Sequence, residues 1–348
     1  MNNIDLIKKL QAERKLNAGE WRQLLAGFSD DDRKFAADLA KEIAVNKFGR
    51  KIFIRGIVEF SNYCKNNCYY CGIRRGNKNC SRYRLNKDEI MLCCKSGYEY
   101  GFRTFVLQSG EDPFFTDERL IDIVSAIRAA YPDCAITLSI GERTGESYEK
   151  LFAAGADRFL LRHETADSEH YGKLHPETMS WQRRLDCLKA LKKIGYQTGC
   201  GIMVGSPYQT VDTLVKDMLF MAAFRPQMIG IGPFLSHKDT PFRDKESGSV
   251  PLTLFLLSLC RIMLPDVLLP ATTALGTAQG DGRQLGVLAG CNVIMPNLSP
   301  LNVRKNYMLY DNKVISGEDA GESLLVLREH MTEIGYEVVV DRGDYCGG

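Results

Sequence analysis

Three cysteines stand close together at a spacing that could hold a metal centre: Cys64, Cys68 and Cys71 form a C-x-x-x-C-x-x-C motif. Three thiolates at this spacing can ligate three irons of a 4Fe–4S cluster, which leaves the fourth iron without a protein ligand. A structural zinc site normally takes four ligands. The nearest further cysteine, Cys80, lies nine residues on in a polar run, and no histidine stands at a zinc spacing. The motif therefore predicts one 4Fe–4S cluster with an open coordination position.

The other nine cysteines are scattered along the chain. A free cysteine behaves as a small apolar residue and is among the most buried residue types. Disulfides are rare in a reducing compartment, so we interpret most of these cysteines as core residues. They are Cys80, Cys93, Cys94, Cys134, Cys187, Cys200, Cys260, Cys291 and Cys346.

The composition excludes several classes of function. Of the 348 residues, 45% are hydrophobic and 25% are charged, which is ordinary for a soluble globular protein. The net charge is +2, so no broad basic face for nucleic acid is expected. The longest apolar stretch, 252–264, carries Arg261 and is too short to cross a bilayer, so it predicts a buried helix. No signal peptide is recognised, and we expect a cytoplasmic protein that binds neither membrane nor nucleic acid.

Eight short β-branched runs alternate with amphipathic segments from residue 51 onward. This alternation predicts parallel β/α units, and the count fits an α/β fold with a complete (β/α)8 TIM-type barrel. We divide the chain into an N-terminal helical extension (1–50), the barrel (51–311) and a short C-terminal α/β tail (312–348) with a helix at 320–334 and a strand at 336–340. The predicted strands are 52–59, 104–108, 135–139, 158–162, 197–204, 228–233, 268–272 and 292–295.

The barrel topology determines which polar residues lie close together. Active sites in this fold lie at the carboxyl ends of the strands, and the cysteine motif follows the first predicted strand. The later strand ends therefore become candidates for the same site. They carry Gln108, Ser109 and Glu111 after the second strand, Thr137 and Ser139 on the third, Arg162, His163 and Glu164 on the fourth, and Thr272 and Thr273 on the seventh.

The cysteine motif, with Tyr70 just before its last cysteine, resembles that of the radical S-adenosylmethionine superfamily. The resemblance implies that the open iron chelates the amino and carboxylate groups of S-adenosylmethionine, and that one electron from the cluster then releases a 5′-deoxyadenosyl radical. Arg184 is the candidate for holding the methionine carboxylate bidentately, with Arg183 beside it as the open alternative. The implied cofactor-binding residues are Tyr70, Gln108, Ser109, Glu111, Thr137, Ser139, Glu164, Arg184, Met203 and Leu235.

Further segments make the barrel resemble the FeFe-hydrogenase maturase E family, within the group that includes biotin synthase and methylornithine synthase. The resemblance implies that Arg162 and His163 face the substrate and that Thr272, Thr273, Tyr307 and Tyr310 line an internal cavity. Taken alone, His163 could equally be a packed strand-end histidine, and two tyrosines at this spacing could form a packing face. The matching segments are LQSGEDP (107–113), LSIGE (138–142), LRHETA (161–166), MVG (203–205), IGIGPF (229–234), PATTALG (270–276), NVIMPNLSP (292–300) and NYMLY (306–310).

The family resemblance implies a role in assembling the two-iron subcluster of the hydrogenase active site. The substrate would be a small iron–cysteine species with carbonyl and cyanide ligands, or a related thiolate. The implied partners are the other hydrogenase maturases (a partner radical enzyme and a scaffold GTPase) and an electron donor such as ferredoxin or flavodoxin. Some members carry a second cluster beyond the tyrosine segment. No cysteine follows Tyr310 until Cys346, so we predict a single cluster.

Two other functions stay open at this point. A methylornithine synthase-like enzyme, or another radical enzyme acting on an amino acid, would share the barrel and the cysteine spacing. A non-catalytic iron–sulfur protein would instead serve as an electron carrier or scaffold. Such a carrier normally presents a fourth protein ligand to its cluster, and the sequence supplies none beside the motif.

Overall fold

The apolar runs predicted as strands form a closed ring in the computed structural model, which describes residues 1–314 and 320–347. Six parallel strands lie in the order β2-β3-β4-β5-β6-β8, and a second parallel sheet has the order β10-β1-β11. The strands are β1 (Lys51–Ile54), β2 (Gly56–Ser61), β3 (Thr104–Ser109), β4 (Ala135–Ser139), β5 (Arg158–Leu160), β6 (Gln197–Cys200), β7 (Met203–Val204), β8 (Met228–Ile229), β9 (Gly232–Pro233), β10 (Val293–Ile294) and β11 (Glu337–Val339).

The ring closes through the seventh and eighth predicted strands. The seventh is extended chain rather than a regular strand: parallel bridges join Met228 to Leu268 and Pro270 to Val293. The eighth, β10, pairs with β1, and the backbone N–H of Ile57 donates to the carbonyl of Pro296 at 2.9 Å. The predicted complete barrel is therefore confirmed.

The first predicted strand is divided into β1 and β2 at Arg55. β1 pairs with β10 and with the C-terminal β11, whereas β2 pairs with β3. Arg55 is buried at the break, and its guanidinium Nη1 lies 3.0 Å from the sulfur of Met228. The division lets the C-terminal tail join one end of the barrel while β2 leads to the cysteine motif at the other.

Helices connect successive strands and pack around the ring. The helices are α1 (Asn3–Glu13), α2 (Ala18–Ala26), α3 (Asp30–Phe48), α4 (Lys87–Glu99), α5 (Asp117–Ala130), α6 (Gly145–Ala153), α7 (Ser168–Leu174), α8 (Trp181–Ile194), α9 (Val211–Phe224), α10 (Val250–Met263), α11 (Thr273–Ala278), α12 (Gly282–Leu288), α13 (Leu301–Arg304) and α14 (Ala320–Glu333).

The apolar stretch at 252–264 forms the buried helix that the sequence predicts. In α10 every residue from Thr253 to Met263 is buried. Arg261 can lie inside because its guanidinium donates to the carbonyls of Pro265, Val267 and Gly290, which satisfies a charged group that would be costly to bury alone. Within the described ranges, no helix combines the length and the apolar character needed to cross a membrane.

The N-terminal segment forms three helices that pack outside the barrel. Each begins with a capping box. The side chains of Asn2, Asn17 and Ser29 accept a hydrogen bond from the backbone N–H three residues on, and the acidic side chain of that residue accepts one from the backbone N–H of the cap. The α3 helix packs along α10, and α2 packs on α9. The three-part division of the chain remains a prediction.

Candidate active site

A cavity of about 340 Å³ opens at the carboxyl ends of the strands, and the three motif cysteines line it. Polar groups from most of the strand ends face the same space, as expected for a parallel barrel. Of the sixteen other residues predicted for the site, fourteen line this cavity. They are Tyr70, Gln108, Ser109, Glu111, Ser139, Arg162, Glu164, Arg184, Met203, Leu235, Thr272, Thr273, Tyr307 and Tyr310.

Backbone contacts fix the loop that carries the cysteines. The N–H of Lys65 donates to the carbonyl of Glu111 at 2.9 Å, and the N–H of Gly72 donates to the carbonyl of Leu309 at 2.8 Å. Two glycines make these approaches possible. A Cβ on Gly72 would lie 2.1 Å from the carbonyl oxygen of Met308, and a Cβ on Gly110 would lie 2.7 Å from the Cβ of Cys64. Larger residues at either position would displace the loop.

The three thiols are costly to ionise on their own. Burial raises the pKa of Cys64, Cys68 and Cys71, to about 12 for Cys71, and the neighbouring thiols raise those of Cys68 and Cys71 further. Glu164 adds to the effect on both. Three buried sulfurs with this mutual repulsion are stabilised as thiolates by bound metal cations, because a coordinating thiol is deprotonated by the ion.

The donor set fits a 4Fe–4S cluster better than a single metal ion. All three cysteines are free thiols facing one cavity. In the described part of the chain, no three His, Cys, Asp or Glu side chains converge as ligands of one ion. A cluster takes each thiolate on a different iron, so its ligands need not converge on one point. Cys64, Cys68 and Cys71 would hold three irons of the cluster, and the fourth iron would have no protein ligand from this motif.

Arg184 and Arg183 have different environments although both pair with Glu142. Nε of Arg184 lies 2.6 Å from Oε1 of Glu142, and its Nη1 donates to the carbonyl of Arg162 at 2.7 Å. Nε of Arg183 lies 3.2 Å from Oε2 of Glu142. The Arg184 side chain is 7% exposed and lines the cavity, whereas that of Arg183 is 54% exposed and faces outward. The geometry therefore favours Arg184 as the cavity cation.

The strand-end segment 162–166 adopts a strained conformation at Glu164. This residue has φ of 65°, which a side chain with a Cβ rarely adopts. Its backbone N–H donates to the carbonyl of Gly201 at 3.1 Å. Nη2 of Arg162 and Oε2 of Glu164 lie 3.4 Å apart, yet each is buried without a hydrogen-bond partner in the described residues. Such unpartnered groups in a cavity wall are suited to bind a polar ligand.

His163 does not line the cavity, so this structure gives no support to the expectation that it faces the substrate. Its side chain is fully buried behind the strand end, against Phe220 at 4.7 Å between ring centres. The N–H of Gly201 donates to Nδ1 of His163, and Nε2 lies 3.4 Å from Oδ1 of Asp217. Asp217 also accepts from the N–H of Ala166 at 2.5 Å. The histidine therefore supports the strained segment from the outside.

Thr137 is the second predicted residue that lies outside the cavity wall. It pairs in register with Val106, whereas Ser139 pairs with Gln108 at the next level of the barrel. Ser139 and Gln108 line the cavity, and Thr137 lies one level deeper, where it is buried. A contact between Thr137 and a cofactor is therefore not supported.

The sequence analysis missed two charged residues of the cavity wall, Glu59 and Lys313. Nζ of Lys313 lies 2.5 Å from Oε1 of Glu59, and both side chains are nearly fully buried. Glu59 could have been found, because a carboxylate stands alone in the apolar run GIVEFS of the first strand. Lys313 gives no such signal, since it follows β10, the eighth barrel strand, and lies beyond the predicted end of the barrel at residue 311.

Comparison with known proteins identifies this arrangement. The family model described as Radical SAM superfamily matches residues 58–221, which contain all three motif cysteines. The [FeFe] hydrogenase maturase subunit HydE of Thermotoga maritima is 49% identical over 276 residues, or 79% of this chain and 78% of that protein. The 3-methylornithine synthase of Methanosarcina acetivorans is 30% identical over 321 residues, or 87% of this chain and 89% of that protein.

Solved structures agree on the fold. The crystal structure of methylornithine synthase has a TM-score of 0.83 at 26% identity and covers 96% of this chain and 97% of that one. The structure of HydG, a maturase of the [FeFe]-hydrogenase, has a TM-score of 0.79 at 20% identity and covers 96% of this chain and 75% of that one. At 20% identity the HydG match shows the common barrel only.

The fold and the site define a radical S-adenosylmethionine enzyme. Its cofactors are those of that superfamily, a 4Fe–4S cluster and S-adenosylmethionine. The chain belongs to the HydE family of [FeFe] hydrogenase maturases.

Proposed function

We propose that this enzyme acts in assembly of the two-iron subcluster of the [FeFe]-hydrogenase active site, on a small iron–cysteine species with carbonyl and cyanide ligands or a related thiolate. The relationship to a HydE maturase at 49% identity supports this role. The single observation that carries the proposal is the common cavity, which has three cysteine thiols on one wall and a set of polar and charged groups on the others. A small substrate could therefore meet the reacting centre without leaving the barrel.

The cysteine side of the cavity is suited to S-adenosylmethionine. The bound cluster supplies the electron for its reductive cleavage. Arg184 would take the methionine carboxylate, and Glu164 would take the ammonium group or the ribose hydroxyls. The other residues proposed to contact this cofactor are Tyr70, Gln108, Ser109, Glu111, Ser139, Met203 and Leu235.

The remaining wall is suited to an anionic or thiolate substrate. Arg162 has two buried nitrogens, Nε and Nη2, that make no hydrogen bond within the described residues. Thr272 and Thr273 present hydroxyl groups from the start of α11, and Tyr307 and Tyr310 close the wall near them. We propose these five residues as substrate contacts, since a guanidinium and several hydroxyls can bind an anion without a metal ligand from the protein.

The proposed role implies partners and a compartment. We propose that the enzyme works with a partner radical enzyme and a scaffold GTPase, and receives electrons from a ferredoxin or flavodoxin. The cysteine loop supports an acidic electron donor, because residues 63–84 contain six Lys or Arg residues and no acidic residue. We also propose a cytoplasmic location, since the described cysteines are all free thiols.

A reconstituted maturation assay tests the function. Apo-hydrogenase is activated with the partner maturases and the cluster-loaded enzyme, and hydrogen evolution is measured. We expect activation with the native enzyme and none with Cys68→Ala, whereas Cys80→Ala should retain it because Cys80 lies outside the cavity wall. A native enzyme that cleaves S-adenosylmethionine but supports no activation would refute the maturation role. Formation of 3-methylornithine would instead favour the synthase relationship.

A further inference from the structure

A second cavity of about 390 Å³ lies next to the active-site cavity. The two share part of their walls. Among the described residues, none of the three motif cysteines lines the second cavity. The shared wall is therefore the part of the active site directed away from the cluster. It consists of Ile57, Glu59, Thr273, Met295 and Lys313.

The charged part of this shared wall is the ion pair between Glu59 and Lys313. The two side chains are 4% and 8% exposed. Lys313 also donates to the carbonyl of Tyr307 at 2.9 Å, and its ammonium lies 4.9 Å from the centre of the Tyr307 ring. The second oxygen of Glu59 accepts from Nδ2 of Asn297 at 2.8 Å. Both charges are thus held at defined positions in the wall.

The backbone of Glu59 is fixed as firmly as its side chain. Its N–H donates to the hydroxyl of Ser299 at 2.7 Å, and its carbonyl accepts from the hydroxyl of Tyr83 at 2.7 Å. Binding groups that are held in place before a ligand arrives lose little entropy when it binds. Glu59 therefore has the preorganisation expected of a recognition residue.

The pair keeps free hydrogen-bonding capacity toward the cavity. An ammonium group has three N–H donors, and the contacts of Lys313 within the described residues use two of them. Each oxygen of the Glu59 carboxylate accepts one side-chain hydrogen bond and can accept another. Burying two charges is costly, and a buried ion pair is often no more stabilising than apolar residues of the same size. A ligand that uses the free capacity explains why both charges are kept inside.

We propose that Glu59 and Lys313 form a subsite for the α-amino and α-carboxylate groups of an amino-acid ligand. The ammonium of the ligand would approach Glu59 and its carboxylate would approach Lys313, so that the four charges alternate in sign. The proposal rests on the proposed function, in which cysteine is part of the iron-bound substrate. It assigns Glu59 and Lys313 to the amino and carboxylate groups of that cysteine, at the end of the substrate that points away from the motif cysteines.

Binding of three small thiols tests the subsite. They are L-cysteine, cysteamine (which lacks the carboxylate) and 3-mercaptopropionate (which lacks the amino group). Binding is measured by anaerobic calorimetry on the cluster-loaded enzyme with S-adenosylmethionine bound and no reductant, so that the open iron is occupied and no turnover occurs. We expect cysteine to bind about tenfold or more tightly than either analogue, because each lacks one charge-assisted hydrogen bond.

Variants assign each group of the ligand to one residue. Glu59→Gln should bind cysteine and 3-mercaptopropionate equally well, because the contact with the amino group is lost, and should still prefer cysteine over cysteamine. Lys313→Met should bind cysteine and cysteamine equally well, because the contact with the carboxylate is lost, and should still prefer cysteine over 3-mercaptopropionate. If a single variant does not fold, the double variant E59Q/K313M leaves no unpaired charge and should lose both preferences. The exposed pair Glu146 and Lys150 supplies matched control substitutions to the same residue types, which should keep both preferences.

Two results would overturn the proposal. The first is a native enzyme that binds cysteine no more tightly than the analogues, including no detectable binding of any of them. The second is an equal loss of affinity for all three thiols in each variant, which would make the pair a structural contact. Neither result depends on hydrogenase maturation, so failure of the subsite and failure of the proposed function are distinguished by the two assays.

Discussion

Replacement of Arg184 by glutamine gives the sharpest test of the proposed cofactor site, because the chain supplies its own control. Arg183 is the preceding residue on α8 and pairs with the other oxygen of the same Glu142. Arg184→Gln removes a guanidinium from the cavity wall, whereas Arg183→Gln removes one from the surface. Any effect that comes only from exposing Glu142 should be common to both variants.

The expected magnitudes differ between the two variants. A hydrogen bond to a charged group contributes about 1.5–3 kcal/mol, so loss of the contact with the methionine carboxylate should raise the Kd for S-adenosylmethionine about tenfold to a hundredfold. Breaking a buried ion pair costs about 3–5 kcal/mol in the free energy of unfolding. Glu142 keeps Arg183 as a partner, so we expect about 3 kcal/mol for Arg184→Gln. The exposed Arg183 should contribute about 0–1 kcal/mol and leave the Kd unchanged.

Two measurements separate affinity from stability. Equilibrium dialysis of labelled S-adenosylmethionine against the cluster-loaded enzyme without reductant gives the Kd, and urea unfolding gives the free energy of unfolding. Arg184→Lys keeps the positive charge and loses the planar fork, so it should recover stability more fully than affinity. Equal Kd values for Arg184→Gln and the native enzyme, or a larger effect of Arg183→Gln, would refute the assignment of the carboxylate to Arg184.

Two further predictions follow from the surroundings of the cysteine loop. Burial lowers the pKa of His175 to about 3, so below pH 6.5 the unfolded chain binds a proton that the folded chain does not. The free energy of unfolding should therefore fall as the pH falls from 6.5 toward 3, by up to about 1.4 kcal/mol per pH unit. Urea unfolding at several pH values should show a smaller dependence on pH for His175→Gln. The double variant R75E/K78E, changed at two exposed cations of the cysteine loop, should slow reduction of the cluster by an acidic flavodoxin in stopped-flow measurements while leaving reduction by dithionite unchanged. If His175→Gln leaves the pH dependence of the free energy of unfolding unchanged, His175 is not its cause. If R75E/K78E slows reduction by flavodoxin and by dithionite equally, the effect is not electrostatic docking of the donor.

The sequence predicted the closed barrel and most of the cavity wall because both depend on local pattern. Parallel strands that alternate with helices bring their carboxyl ends to one side, so the cysteine motif, Gln108 and Arg162 had to meet. The position of His163 behind the strand end could not be predicted, because the sequence does not show which strand-end residue faces inward. Its partner Asp217 is on α9, more than fifty residues along the chain. Only the assembled structure brings these two groups together.

Lys313 shows a second limit of sequence reasoning. Its role depends on the path of the chain after the last strand, and no periodicity describes that path. The structure turns the segment back over the barrel, where the ammonium of Lys313 meets Glu59 from β2, 254 residues away in sequence. A carboxylate in an apolar strand can be recognised from sequence alone, but its counter-charge cannot, because long-range ion pairs follow from tertiary packing.

Two buried ion pairs belong to the active site, Arg184–Glu142 and Lys313–Glu59. Ligand binding explains these buried charges better than a contribution to the stability of the fold does. The desolvation penalty of a buried ion pair is only roughly offset by the attraction between its charges. Stability alone therefore gives little reason for the Lys313–Glu59 pair in the cavity wall, or for a second buried pair whose Arg184 lines the same cavity. A ligand with separated charges changes this balance, because each buried group then gains a further hydrogen bond in a medium of low dielectric constant. If this reasoning holds, E59Q/K313M should unfold at about the same urea concentration as the native enzyme and yet lose its preference for cysteine. A double variant that is strongly destabilised and keeps that preference would show that the pair serves the fold.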